Sequence, residues 1–402
     1  MKIKKIFFVL MIFLGFSTFL FAKEKYYVPL VQEKFIPTKD NRELGYQLVD
    51  GAKKVVFVFD MKAYKYESVA KVYVEGSFNG WAKGSDDSWR MSESSKKGIY
   101  ILEKDFALVN IPGNSGYPEF KFYIYRKPNA YSADEPGSIS KKPGFSMSTN
   151  NLILLPEDSA QEVQENAKLA ASVKKLSDFN LENAQDRAVI SNVRLVPGTV
   201  NLYRGYHPYK KSRSQYDTEE VRIELVKKSL EENDVHSIIT LSGKEDAIEK
   251  LNEAVCPYQQ NIIDSGNNLF INTHYNTVYY KSDSQEYGNL VAEIVRFINT
   301  HPGAYYIHCR LGTDRTGTMS AVLAALCGAS WKEIAEDYQK TNLMGIKEFR
   351  DYRLLKYSFE KILGKPMENV EDLKTELCDY FIKNDYLNQN ELDVLAKRLT
   401  NK

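Results

Sequence analysis

"IHCRLGTDRTG", Ile307 to Gly317, sets Cys309 five residues ahead of Arg315, with two glycines and two threonines around them. The apolar "AYYIHC" leads into this stretch and "MSAVLAALCG" leads out of it. A short run of β-formers followed by a longer apolar segment reads as a buried strand giving way to a buried helix closed by Gly328. With Cys309 closing the strand and Thr316 opening the helix, the intervening backbone N–H groups converge above the helix N-terminus as an anion cradle. The same field favours thiolate over thiol and makes Cys309 a nucleophile at neutral pH. The planar fork of Arg315 suits two oxygens of a phosphate. Gly312 lets the loop bend where a side chain would intrude. The expected phosphate contacts are therefore Arg310, Leu311, Gly312, Thr313, Asp314 and Arg315.

Outward from the loop, strand-like and helix-like segments alternate. "VHSIITLSG" reads as a second buried strand, and between the two strands Tyr287, Leu290, Val291, Ile294, Phe297 and Ile298 recur at helical spacing. In "SWKEIAEDY", Ser330 and Glu333 fit a capping box. This alternation predicts an α/β domain with a mostly parallel central sheet flanked by helices. The C-terminal stretch from Met367 has apolar spacing suited to helices that pack on that domain as a structural cap.

His308-Cys309, five residues, then Arg315-Thr316 resembles the H-C-x5-R-[ST] loop of the cysteine-dependent protein phosphatases. The "GTDRTG" variant, with Glu336-Asp337-Tyr338 and Thr341-Asn342 downstream, is similar to the bacterial tyrosine and dual-specificity branch, as is "NLYRGYHPY" with Arg204. The resemblance covers roughly Val189 to Thr400. It implies a phosphocysteine intermediate on Cys309, stabilisation of the transferring group by Arg315, a hydrogen bond from Thr316 to the sulfur, and a loop-supporting His308. It implies no metal and no cofactor. An aspartic acid would protonate the leaving oxygen. Asp314 inside the loop and Asp283 in "YYKSDSQEY" compete for this role, with Asp264 a distant third. At Arg310 and Thr313 the loop departs from this branch, where a small or apolar residue and then lysine are common. That lysine is linked to phosphoinositide substrates, so its absence weighs against such a preference.

The first half of the chain follows another period. "VVFVFD", "AKVYVEG", "GIYILEKDF", "FKFYIY" and "NLILLP" alternate at period two between Gly, Asn, Ser and Pro clusters, which predicts an Ig-like antiparallel β-sandwich over 46–156. Residues 157–187 are rich in charge and alanine and read as a charged, solvated, partly helical linker to a phosphatase domain over 188–402. "VYVEGSFNGWAK", together with "EFKFYIY", "NAYSADEP" and "STNNLILLP", resembles the starch- and glycogen-binding modules of branching enzymes and of the β-subunit of AMP-activated kinase. The resemblance implies that Trp81 and Tyr131 stack on glucose rings while Lys121 and Asn150 hydrogen-bond hydroxyls. A tryptophan is common in that family where Tyr131 stands.

The opening "MKIKKIFFVLMIFLGFSTFLFAKEK" has a basic start, an unbroken apolar run and a small residue at Ala22, the pattern of a signal peptide over 1–22. The expected location is secreted or periplasmic, with a membrane anchor as the alternative if the segment is uncleaved. A formal net charge of +1 over 402 residues gives no reason to expect nucleic acid as a partner. Four scattered cysteines, without a C-x-x-C pair, define neither a disulfide framework nor a zinc site, and the five histidines show no ligand pattern. An exported low-pKa thiol oxidises readily, which keeps a redox-sensing role for Cys309 open. The leading expectation is a phosphatase acting on phosphotyrosine or mixed phosphoproteins. The alternatives are a phosphoglucan phosphatase tethered to α-glucan by its module, an inositol phosphate or phosphoinositide phosphatase, and a non-catalytic carbohydrate- or phosphate-binding protein.

Overall fold

The computed structural model describes residues 37–126, 133–140, 151–154, 159–244 and 255–401. The expected signal peptide, Tyr131 and Asn150 lie outside these residues. Among the described residues no helix is long and apolar enough to cross a membrane.

Two antiparallel sheets make up the N-terminal β region. The strands are β1 (Tyr46–Val49), β2 (Lys54–Asp60), β3 (Val69–Gly76), β4 (Ser92–Glu93), β5 (Ile99–Asp105), β6 (Glu119–Arg126), β7 (Ala133–Asp134) and β8 (Leu152–Ile153). One sheet has the order β1-β2-β5-β4; the other runs β3-β6-β7, with β8 also on β6. Period two decides which side chains meet. Val55, Phe57 and Phe59 of β2, Val72 and Val74 of β3, and Phe120, Phe122 and Ile124 of β6 share one core. Each such side chain, on full burial, contributes about 1.5–3 kcal/mol of apolar transfer. The alternate positions, Tyr73 opposite Tyr123 and Glu75 opposite Lys121, stand on the other face.

The C-terminal half is built on a five-stranded sheet of β9 (Arg194–Leu195), β10 (Leu202–Gly205), β11 (Ser237–Thr240), β12 (Asn268–Phe270) and β13 (Tyr305–His308), in the order β12-β11-β13-β10-β9. The first four are mutually parallel and β9 is antiparallel to β10, so the sheet is mixed at that edge. Both faces are covered. Ile239, Tyr305 and Ile307 turn into one core with the helices Gln285–Thr300 and Asp314–Leu326, while Ile238 and Tyr306 turn into the other with the helix Glu219–Glu232. All six apolar positions read at helical spacing between Tyr287 and Ile298 lie in the first core. Ser330 and Glu333 form their capping box, and the helices Leu373–Lys383 and Gln389–Thr400 bury Leu377, Phe381, Leu392, Leu395 and Leu399 in the same core.

The stretch expected to be a solvated linker does not run free in solvent. Its helix, Ala160–Ala171, buries Val163 and Ala170 against Tyr117 and Ile153 of the β region and Phe349 of the C-terminal half. Beyond it, the Lys174 N–H donates to the Gly345 carbonyl at 2.9 Å and the Lys347 N–H to the Ser172 carbonyl at 3.0 Å. Glu165 and Lys168 are exposed while Glu162 pairs with Arg353 and accepts from Tyr117, so a composition rich in charge reads as a solvated segment.

Candidate active site

β13 lies in the middle of the mixed sheet, and its C-terminal end delivers Cys309 to the edge of the core, where it is 3% exposed. The helix that follows opens at Asp314, two residues earlier than expected, with Thr313 as its N-cap. The turn between strand and helix is held from outside. Asn192, at the left-handed C-cap of the helix Ala184–Ser191, donates its amide to the Leu311 carbonyl at 3.2 Å. Arg204, 1% exposed on β10, donates to the Gly312 carbonyl at 2.8 Å. With these carbonyls drawn away, the N–H groups of Arg310 to Arg315 donate to no group among the described residues. Six neighbouring donors without acceptors, above a helix N-terminus, form a site for an oxyanion. Gly312 has φ 74°, and a Cβ there would lie 2.2 Å from the Gly205 carbonyl oxygen, so only glycine fits.

The two arginines behind the loop share one carboxylate. Arg204 reaches Asp337 Oδ2 at 2.8 Å and Arg194 reaches Oδ1 at 2.5 Å, and Asp337 is 3% exposed. Burial alone would raise the carboxyl of Asp337, but the charges of Arg194 and Arg204 outweigh it and hold it below the usual carboxylate range.

Burial would likewise raise the Cys309 thiol. The Arg315 charge, and then the neighbouring hydroxyl and N–H of Thr316, act the other way and prevail, so its pKa lies below the ordinary 9.0. The Thr316 hydroxyl is buried and has no hydrogen-bond partner among the described residues, which leaves it available to the sulfur and its phosphoryl group. Arg315 itself is fixed by the ends of β11 and β12, donating to the Leu241 carbonyl at 3.0 Å and the Thr273 carbonyl at 3.3 Å. His308 is fully buried, with Nε2 2.9 Å from the Thr240 hydroxyl and Nδ1 3.0 Å from the Cys309 carbonyl. Burial lowers its pKa to about 4, so the ring is neutral and braces the strand end. Arg310 is exposed at the rim; Leu311 and Thr313 are buried beneath it.

The two candidate acids part company. Asp314 is at the loop, where Oδ1 accepts from Arg350 Nε at 2.6 Å and from the Tyr279 hydroxyl at 3.1 Å, and Oδ2 accepts from Arg350 at 3.1 Å. Burial lifts the Tyr279 phenol far above its ordinary range, which leaves it a donor; it also shares a 2.6 Å bond with the Tyr338 hydroxyl. Asp283 is placed elsewhere, half exposed and paired with Lys361 at 3.0 Å, with no bond to any loop residue. Asp264 is exposed and accepts from Gln260.

The residues assigned to sugar contact are described only in part. Trp81 is half-buried in a turn at φ 58°. Two residues on, the Lys83 N–H donates to Glu75 at 3.1 Å, and Glu75 faces Lys121 across the β3–β6 pair, which brings the Trp81 turn and Lys121 to one face.

Asn192, Arg350 and Tyr279 carry no local signature and were not identifiable from spacing; each reaches the loop from far along the chain. Among the described residues no group of His, Cys, Asp and Glu is arranged to hold a metal ion.

The model of the tyrosine phosphatase family matches residues 213–399. Among solved structures, the core catalytic domain of the PP-IP phosphatase SIW14 from S. cerevisiae in complex with citrate is similar at 16% identity, with a TM-score of 0.27, covering 49% of this chain and 94% of that one. No curated protein matches. A thiol with a lowered pKa under N–H groups that have no acceptor among the described residues is equipment for cysteine-based phosphate chemistry, and residues 213–399 are similar to the tyrosine phosphatase family.

Proposed function

We propose that the chain is an exported phosphatase of the protein-tyrosine or dual-specificity kind, with Cys309 as nucleophile. The observation that carries this reading is the lowered thiol of Cys309 beneath six N–H groups that have no acceptor among the described residues, with the Arg315 charge acting on it. In the first step the Cys309 thiolate attacks phosphorus and the P–O ester bond breaks, the electron pair leaving with the ester oxygen. The loop N–H groups and Arg315 hold the three remaining oxygens as charge redistributes. Water then attacks the phosphocysteine, the P–S bond breaks, and inorganic phosphate departs. Thr316 eases the return of the sulfur to thiolate.

Asp314 is the carboxyl group at the loop and is proposed to serve these steps; Asp283 is the weaker candidate on its placement. Both Asp314 oxygens accept bonds from Arg350, an arrangement suited to orienting water rather than to giving up a proton. Leaving oxygens that need little protonation gain most from such a site. Phenolic esters such as phosphotyrosine fit better than alkyl esters such as phosphoserine. We assign the phosphatase domain to 188–402, the β-sandwich module to 46–156 and the signal peptide to 1–22, with a periplasmic or secreted product; between module and domain lies the docked helix Ala160–Ala171. α-Glucan binding by Trp81 and Lys121 is proposed on the resemblance of that module and on their shared face.

The test is a panel of phosphotyrosine peptide, phosphoserine peptide, inositol phosphates and phosphorylated amylopectin, with Cys309→Ser as the control. Turnover highest on phosphotyrosine and lost in the variant is the expected result. Equal or higher turnover of phosphoserine would remove the protein-tyrosine assignment, and dominance of amylopectin would move the assignment to phosphoglucan.

A further inference from the structure

The Asp314 clamp is built from two segments, the helix Tyr275–Tyr280 that carries Tyr279 and the loop Gly345–Asp351 that carries Arg350. Neither stands alone. Tyr275 donates its hydroxyl to Asn114 Oδ1 at 2.9 Å and Tyr280 to the Pro112 carbonyl at 3.1 Å, both in the turn that precedes β6. The Asn114 carbonyl accepts the Asp351 N–H at 2.9 Å. Gly116 has φ 84°, and a Cβ there would fall 2.5 Å from the Asp351 side chain, so turn and loop are in direct contact. On the far side of the loop, Phe349 is buried with Tyr117, Ile153, Val163 and Ala170, and Arg353 pairs with Glu162 at 2.6 Å on the helix Ala160–Ala171. Arg350 thus projects to Asp314 from a loop that the first half of the chain encloses.

We infer that the N-terminal β region is a positioning element of the catalytic centre, acting through the turn Pro112–Gly116 on Tyr275 and on the Arg350 loop to hold Asp314 in place. This rests on the phosphatase reading above. Asn114 and Arg350 are positioning residues: the first bonds to Tyr275 and to the Asp351 N–H, the second to Asp314 and its own loop, with its guanidinium over the Tyr275 ring and its backbone tied to Asn342. A positioned carboxylate acts on the chemical step rather than on substrate capture, so the effect belongs in kcat.

The experiment uses the full chain and an aryl phosphate substrate. Asn114→Ala removes the acceptor for Tyr275 and lowers kcat about fivefold, the rate equivalent of one neutral hydrogen bond, with KM within about twofold. Asn114→Asp keeps that acceptor and restores kcat. Arg350→Ala lowers kcat about a hundredfold, as misplacement of a reacting group does. The double variant Asn114→Ala, Arg350→Ala is then no slower than Arg350→Ala alone, because both act through one clamp. Multiplying effects in the double variant, an unchanged kcat in Asn114→Ala, or a loss confined to KM would each overturn the inference. Should Asn114→Ala fail to fold, Tyr275→Phe breaks the same bond from the other side. Absence of turnover in the wild-type chain, equal to Cys309→Ser, would strike the phosphatase reading itself; normal wild-type turnover with an indifferent Asn114 strikes this inference alone.

Discussion

The turn from β13 into the helix Asp314–Leu326 and the outer face of the β3–β6 pair are both rich in charge, yet their polar groups are employed in opposite ways. In the turn, the carbonyls of Leu311 and Gly312 are taken by Asn192 and Arg204, and the six N–H groups beside them have no acceptor among the described residues. On the sheet face, Glu75 accepts the Lys83 N–H and faces Lys121, and Lys83 pairs with Glu135 at 3.6 Å. Burying donors without acceptors costs free energy that a fold does not tolerate without a reason. A surface whose groups already answer one another needs no ligand for satisfaction, and recognition there rests on stacking and shape.

The largest expected effect separates the two regions outright. Cys309→Ser lowers turnover on the order of 10⁴-fold, while the proposed retention on immobilised glycogen is expected to be unchanged; steady-state rates and a column assay measure both. Next comes Asp337→Asn, which leaves two buried guanidiniums with no counter-charge and destabilises the fold by about 3–5 kcal/mol in a denaturant titration. Loss of activity without that loss of stability would mean that Arg194 and Arg204 serve chemistry and not only scaffolding. Thr316→Ala tests the thiol directly. Thr316 helps hold the Cys309 pKa below 9.0, so its removal raises that pKa. Because the thiolate form is the active one, the acid limb of kcat/KM moves to higher pH, by about half to one unit.

The smaller effects fall on the sheet face. On the α-glucan binding proposed above, Trp81→Ala is expected to abolish glycogen retention and leave the rate on an aryl phosphate intact; a slowed rate would show that the two regions are coupled through this face as well. Glu75→Gln is the mildest change. Burial first, and then the charge of Glu135, raise the Glu75 pKa from 4.5 to about 7. A raised carboxylate pKa means that the folded state binds the proton more tightly, so stability falls as pH rises between those two values and is level above them. Thermal unfolding across that window declines in the wild type and is flatter in the glutamine variant.

What could be read from the chain is what neighbours in the chain decide. His308, Cys309, Arg315 and Thr316 sit within one turn of each other, so their convergence needs only a strand, a bend and a helix in that order. The helical spacing from Tyr287 to Ile298 and the box at Ser330 and Glu333 are equally local. The clamp on Asp314 was not legible, since Tyr279, Arg350 and Asn114 come from three distant segments and each is an ordinary residue for its element. The docked helix Ala160–Ala171 was misread for a related reason: its outward charges dominate composition, and Val163 and Ala170 show their purpose only once Phe349 is beside them.

The pairing of Val173 with Ile346 has a practical consequence for anyone who would trim this protein to its working half. A cut at residue 188 removes the bridging segment around Val173, uncovers Phe349 to water and strips the scaffolding from one side of the loop. A recombinant fragment starting there would report the kinetics of a loosened enzyme, and the shortfall would be mistaken for poor substrate choice.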